Sequence, residues 1–246
     1  MSSVAAMFRV SVSQALPRRR TLMLGLLELA PAAIYLFATS SRTSSAGFQG
    51  VVEIGSSTFL ALVLPVVAIV VAAGALGNER RDLTLSFIAL RPIPRTAIAL
   101  TKVTAAASAA IALNLVGALA LGVAHTVRYG GGSIIVGLVA ATIVASVAYA
   151  AVFVPLGFLT DRAVIIGMAY LLVFENGAVF ALSGLSLLSP WRLGAATLAG
   201  IVDGSRIYLE GAIGTLPMAR AILAAAIYLL VGVGLSTWLL RRRDLA

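Results

Sequence analysis

The sequence predicts an all-α, polytopic membrane protein with six transmembrane helices, and three observations carry that prediction. Charged residues are 11% of the 246, against about 25% in a soluble domain whose surface water must solvate. Hydrophobic residues make up 61%, with a mean hydropathy of +1.06, so lipid is the main solvent of this chain. Finally, the basic residues are not pooled in one patch but fall between long apolar runs, chiefly in alternate loops.

Residues 1–18 mix Val4, Met7, Phe8, Val10 and Leu16 with Ser11, Arg9 and Gln14. That pattern predicts a short helix lying in the membrane interface, ended by Pro17 and the triplet Arg18, Arg19 and Arg20. No small-residue cleavage site follows the first apolar run, which therefore reads as a retained span.

Six runs approach the ~20 residues needed to cross hydrocarbon. They are residues 21–39, 58–76, 97–124, 134–159, 163–185 and 218–240. The third is long enough to tilt or to project into the cytosol. With the N terminus inside, thirteen of the 18 Lys and Arg residues face the cytosol, and Arg42, Arg128, Arg192, Arg206 and Arg220 face out. This asymmetry places both termini inside, in agreement with an even number of spans. The Arg, Ala and Gly bias suggests a GC-rich bacterial genome, and hence a bacterial cytoplasmic membrane. No fixed repeat and no second domain is visible, so residues 1–246 read as one membrane domain.

Composition also excludes chemistry. There are no cysteines, so disulfides and thiolate sites are absent. His125 is the single histidine, at an outer helix end beside Arg128, and no carboxylate cluster accompanies it as a metal site would require. Gly130, Gly131 and Gly132 lack the Lys-Ser/Thr of a phosphate loop, so the chain binds no ATP itself. An intramembrane enzyme needs paired acids, a Ser/His arrangement or His-Glu zinc ligands, and none is present. Nucleic acid is not the partner the charge pattern implies.

Two loops stand out. Residues 186–217 are semi-apolar, with Pro190, Trp191 and several glycines, and read as short outward helices re-entering the outer interface. Residues 77–96 are the most charged stretch, on the cytosolic side. Asn78 suits a helix N-cap, and Glu79 and Asp82 suit its first turn. Leu83, Phe87 and Leu90 share a face, and Pro92 and Pro94 stop the helix before Arg95 re-enters the membrane. A short helix over residues 79–90 would dock another protein; its alternative is a loop whose charges only fix topology.

Here the sequence resembles the permease subunits of type-2 ABC exporters. The resemblance rests on Glu79-Arg80, Thr84-Leu85, the turn Pro92-Ile93-Pro94-Arg95 and Lys102, together with the topology above. The sequence departs at Leu83, where that family favours Gly, and at Pro94, where Ser is usual. The resemblance implies that residues 79–90 form the coupling helix of a cytosolic loop between spans two and three. Glu79, Arg80, Arg81, Asp82, Thr84, Phe87, Pro92 and Arg95 would meet the ATPase. It further implies a separate ABC ATPase subunit that binds ATP and Mg, a second permease chain, and no cofactor or catalysis in this one. A non-catalytic membrane sensor, anchor or immunity protein is the alternative reading.

Polar residues inside the spans are the remaining candidates, because an ionisable group in hydrocarbon costs ~2.5–3.5 kcal/mol on insertion scales. Glu175 and Asn176, in the fifth span, are expected to line a pathway or to bond a neighbouring helix. Glu28, one turn before Pro31, is placed to satisfy backbone groups that the proline frees. Asn114 is expected to hydrogen-bond between helices, and Gly117, Gly122, Gly232 and Gly234 to be close-packing points.

Overall fold

The computed structural model describes residues 3–39, 44–81, 93–178 and 183–242, and every regular element among them is helical. The N-terminal helix α1 spans Ser3–Ala15. The first span is α2 (Arg18–Glu28) and α3 (Ala30–Ala38), parted at Leu29. Pro31 causes the break: it has no N–H for the Leu27 carbonyl, and Leu29 turns tightly to bond Leu26 instead.

The second span is longer than its apolar run. Helix α4 (Ser44–Ile54) passes into a π-helical stretch, Gly55–Val63, and then α5 (Leu64–Arg81). The widening starts where Ser56 and Ser57 both donate to the Glu53 carbonyl, at 3.1 and 2.6 Å. That carbonyl is the α-helical acceptor for the Ser57 N–H, so the hydroxyls compete with the backbone there. Helix α5 runs on through Asn78 to Arg81, so Asn78 is not an N-cap. Nothing between Leu76 and Arg81 breaks a helix, and Gly77 is held against the Gly157 carbonyl.

The third and fourth spans are continuous helices, α6 (Arg95–Tyr129) and α7 (Ser133–Leu159). Pro94 precedes α6 in extended backbone. Helix α7 is the centre of the bundle and packs against α5 and α6. Pro155 frees the Ala151 carbonyl within α7, and Gly232 of the last helix sits directly over that oxygen. A Cα–H approach of this kind partly offsets the missing bond.

The fifth run is where the architecture departs from a single helix. Helix α8 (Ala163–Ala169) continues as a π-helix, Tyr170–Ala178. A 3₁₀ turn, Ser183–Leu188, then leads into α9 (Pro190–Ile201). Contacts with α7 give the heights of these pieces. Gly167 packs on Phe153, Glu175 bonds Tyr149, Gly194 lies on Ala141 and Ala145, and Leu198 and Val202 cover Gly137. The π-helix thus climbs from one end of α7 to its middle, and α9 carries the chain from the middle to the other end. Residues Pro190–Leu198 are buried between α7 and the last helix. The segment therefore reaches much deeper than the outer interface expected for it, because Gly194, Ala195 and Ala196 let its backbone approach α7 closely.

Helix α10 (Arg206–Ile213) and α11 (Met218–Arg242) are the last of the described elements. Arg206 secures the turn between them through the Gly214 and Leu216 carbonyls. Among the described residues, five helical stretches are long and apolar enough to cross a membrane: 18–38, 46–78, 95–129, 133–159 and 218–242. Burial differs sharply among them. In the most apolar part of 46–78, 72% is buried, against 22% for 18–38 and 28% for 218–242. The first and last spans therefore face outward from the bundle.

Candidate functional site

Basic residues converge on one end of the bundle. Arg20 approaches Gly74 and Asn78, and these line a cavity of about 160 Å³ with Gly157, Thr160 and Asp161. Arg95 donates from Nη1 to the Arg241 carbonyl at 3.2 Å, so it caps the C terminus of α11, where a cation suits the helix dipole. The opposite end is marked by Tyr129, whose hydroxyl donates to the Thr39 carbonyl, and by Arg128, which reaches the Leu36 carbonyl.

Of the residues expected to couple, Glu79, Arg80 and Arg81 form the last turn of α5, with side chains outside the described set. Asp82, Thr84, Phe87 and Pro92, and hence most of the helix expected at 79–90, lie outside the described residues. Lys102 is buried in α6 at 1% exposure.

The intramembrane polar residues separate into distinct environments. Asn114 donates from Nδ2 to the Ser146 hydroxyl of α7 at 3.0 Å, an interhelical bond of the kind expected. Glu28 is fully buried, yet neither carboxylate oxygen has a hydrogen-bond partner. It does not serve the backbone freed by Pro31. Its side chain turns toward α6 instead, packing over Gly117 beside Phe59. Gly117 and Gly122 are close-packing points, as is Gly232, whereas a Cβ on Gly234 would meet open space.

Glu175 is the centre of a polar cluster. Its Oε2 accepts from the Tyr149 hydroxyl at 2.6 Å. Tyr170, Ser189 and Arg192 surround the same carboxylate. Tyr170 also donates to the Leu188 carbonyl at 3.0 Å, and Tyr228 of α11 to Leu187 at 3.4 Å. Asn176 follows in the π-helix, its side chain outside the described set. Arg192 is not an outward-facing loop charge: it is 2% exposed, stacked at 5.4 Å on the Trp191 ring in the first turn of α9. Counting charges between apolar runs misplaced it. The signal that was available is an arginine inside the nearly apolar stretch from Leu187 to Leu198.

His125 shares a 2.8 Å hydrogen bond between Nδ1 and the Tyr35 hydroxyl, inside an aromatic group with Phe48 and Tyr129. Among the described residues no three His, Cys, Asp or Glu side chains gather as a metal site would need.

Comparison with curated proteins finds no match. A family model does match: residues 17–186 fit the one described as ABC-2 family transporter protein. The matched stretch runs from the start of the first span to the 3₁₀ turn before α9, well over half the chain, and the chain belongs to the ABC-2 transporter family.

Proposed function

We propose that this chain is the permease subunit of an ATP-driven exporter, working with a separate ATPase and a second permease chain. Membership of the family supports a permease role in an ABC transporter, with a multi-pass membrane location. The finer reading adds six crossings, the fifth made jointly by α8 with its π-helix and by α9. It also adds a bacterial cytoplasmic membrane with both termini in the cytosol. The coupling element is the stretch 79–90.

One observation supports this most: the helices on either side of that stretch attach to different parts of the bundle. Glu79 continues α5, whose preceding turn lies against Gly157 near the start of α8. Arg95, on the far side, holds the end of α11. A partner pressing between them would move α5 and α11 together, which is the differential input a two-state transporter needs. The exposed apolar faces of 18–38 and 218–242 suit a second permease chain or lipid.

The test is charge reversal, Glu79→Arg with Arg81→Glu, in the permease co-expressed with its ATPase. A mismatched charge at an interface costs ~2–5 kcal/mol, so association should fall more than tenfold while the membrane domain stays folded. Association and ATP hydrolysis in lipid at wild-type levels would refute coupling through this loop. A chain that never associates with an ATPase would be a sensor, anchor or immunity protein.

A further inference from the structure

A cavity of about 380 Å³ opens between the 3₁₀ turn before α9, the end of α10 and the start of α11. It lies at the end of the bundle where Tyr208 of α10 packs edge-on to Phe48. Three backbone carbonyls in its wall already have donors. Arg206 donates to the Gly214 and Leu216 carbonyls at 3.5 and 3.3 Å, and the Tyr228 hydroxyl to that of Leu187 at 3.4 Å. The polar side chains of the lining can all donate: the Arg220 guanidinium and the hydroxyls of Ser186 and Thr215. None of the three side chains has a partner among the described residues, and no acid is among those that line the cavity.

Arg220 also stands in the first turn of α11, where the helix N–H groups are free and no acidic residue is present. The helix dipole repels a cation at that end, so an anion seated beside Arg220 satisfies both the guanidinium and the dipole. A zwitterionic head would bring its ammonium against a wall with no acid and no free carbonyl. The charge of the site therefore selects an anion.

The rest of the wall is apolar, through Leu187, Ile213 and Leu216. Past Arg220, exposed apolar residues continue one face of α11: Leu223, Ile227 and Leu230 follow at i+3, i+7 and i+10. That stripe rises about 15 Å along the helix, the depth of one leaflet of a hydrocarbon core ~30 Å thick. A free phosphate would use the cavity and leave the stripe bare; a lipid uses both.

We propose that this cavity seats the head of an anionic phospholipid, its phosphate on Arg220, Ser186 and Thr215 and one acyl chain along Leu223, Ile227 and Leu230. The volume suits a head group. Arg220 and α11 lie beyond the stretch matched to the family. The inference needs the membrane location alone, and binding is measured without ATPase or nucleotide, so it can fail while the coupling assignment stands.

The test titrates dioleoyl phosphatidylglycerol against dioleoyl phosphatidylcholine on the full-length chain in detergent, read by native mass spectrometry. The first anionic lipid should bind about tenfold more tightly, the worth of one charge-assisted hydrogen bond. Arg220→Gln should erase that preference and Arg220→Lys retain most of it; the side chain is exposed, so both variants should fold. Arg128→Gln removes another exposed cation from the same end of the bundle and should leave the preference intact. An equal loss in Arg128→Gln would reduce the effect to diffuse charge and overturn the proposal. So would equal binding of the two lipids by the wild-type chain, or a preference that survives Arg220→Gln. Displacement of the lipid by millimolar inorganic phosphate would make this a site for a soluble anion. A stable dimer that retains no anionic lipid would give the stripe to a second copy, and either result ends the lipid assignment.

Discussion

Glu28 and Glu175 are both buried carboxylates in apolar helices, and both lie at places where a span stops being a regular α-helix. Their surroundings differ. Glu175 receives a short hydrogen bond from Tyr149 and sits within reach of a guanidinium. Glu28 receives none, and its nearest company is Gly117 and the ring of Phe59. The contrast shows that burial alone does not assign a role to an intramembrane acid. What decides it is whether neighbouring helices present complementary groups at the same height.

The largest effect should come from Glu175→Met. The substitution preserves length but removes the acceptor of Tyr149 and a carboxylate that acts on Arg192. Breaking one partner of a buried charged set typically costs about 3–5 kcal/mol. The chain should therefore lose its monodisperse fraction on size-exclusion chromatography after heating at a temperature the wild type survives. Glu175→Gln, which still accepts from Tyr149, should lose much less. Equal heat resistance of the Met variant and the wild type would erase the distinction between the two acids.

A smaller loss is expected from Gly117→Ala. A Cβ there would overlap the Glu28 carboxylate, its backbone carbonyl and the Phe59 ring. The carboxylate can swing away, but the carbonyl belongs to the helix and cannot. Overpacking of this kind costs about 1–3 kcal/mol. Gly234→Ala, facing open space, should leave the same heating assay unchanged and serves as the control. Full tolerance of Ala at both positions would mean that the first span does not seat on α6 at Glu28.

Much of the molecule was legible because lipid imposes a simple rule: runs of about twenty apolar residues become helices. The third, fourth and last helices begin and end within about five residues of the expected runs, because Pro94, the glycines at 130–132 and the terminal arginines act locally. The interior of the second and fifth runs was not legible. Competition by Ser56 and Ser57 for one carbonyl is invisible to hydropathy. The fifth crossing changes from α to π and then restarts at Pro190, while apolar composition stays the same throughout. The candidate site suffered most. Glu175 was identifiable as a lone acid, but Tyr149 belongs to the preceding span and Ser189 and Arg192 to the start of α9, and only packing at a common height unites them.

The smallest effect, and the sharpest use of the comparison, belongs to Glu28→Met. Methionine matches glutamate in length and fills the space over Gly117 with a thioether and methyl, so no cavity opens. No hydrogen bond is lost, because neither carboxylate oxygen makes one. The substitution also removes a polar group whose burial has no compensating partner, a change that is often neutral or favourable. The expected shift is therefore within about 1 kcal/mol of zero, or slightly stabilising, in the heating assay that Glu175→Met should fail. If transport is measured in the same preparation, it too should persist, since Glu28 bonds none of the groups gathered around Glu175. A loss as large as that of Glu175→Met would overturn this reading. It would mean that Glu28 acts through its charge, with a partner from outside the single chain.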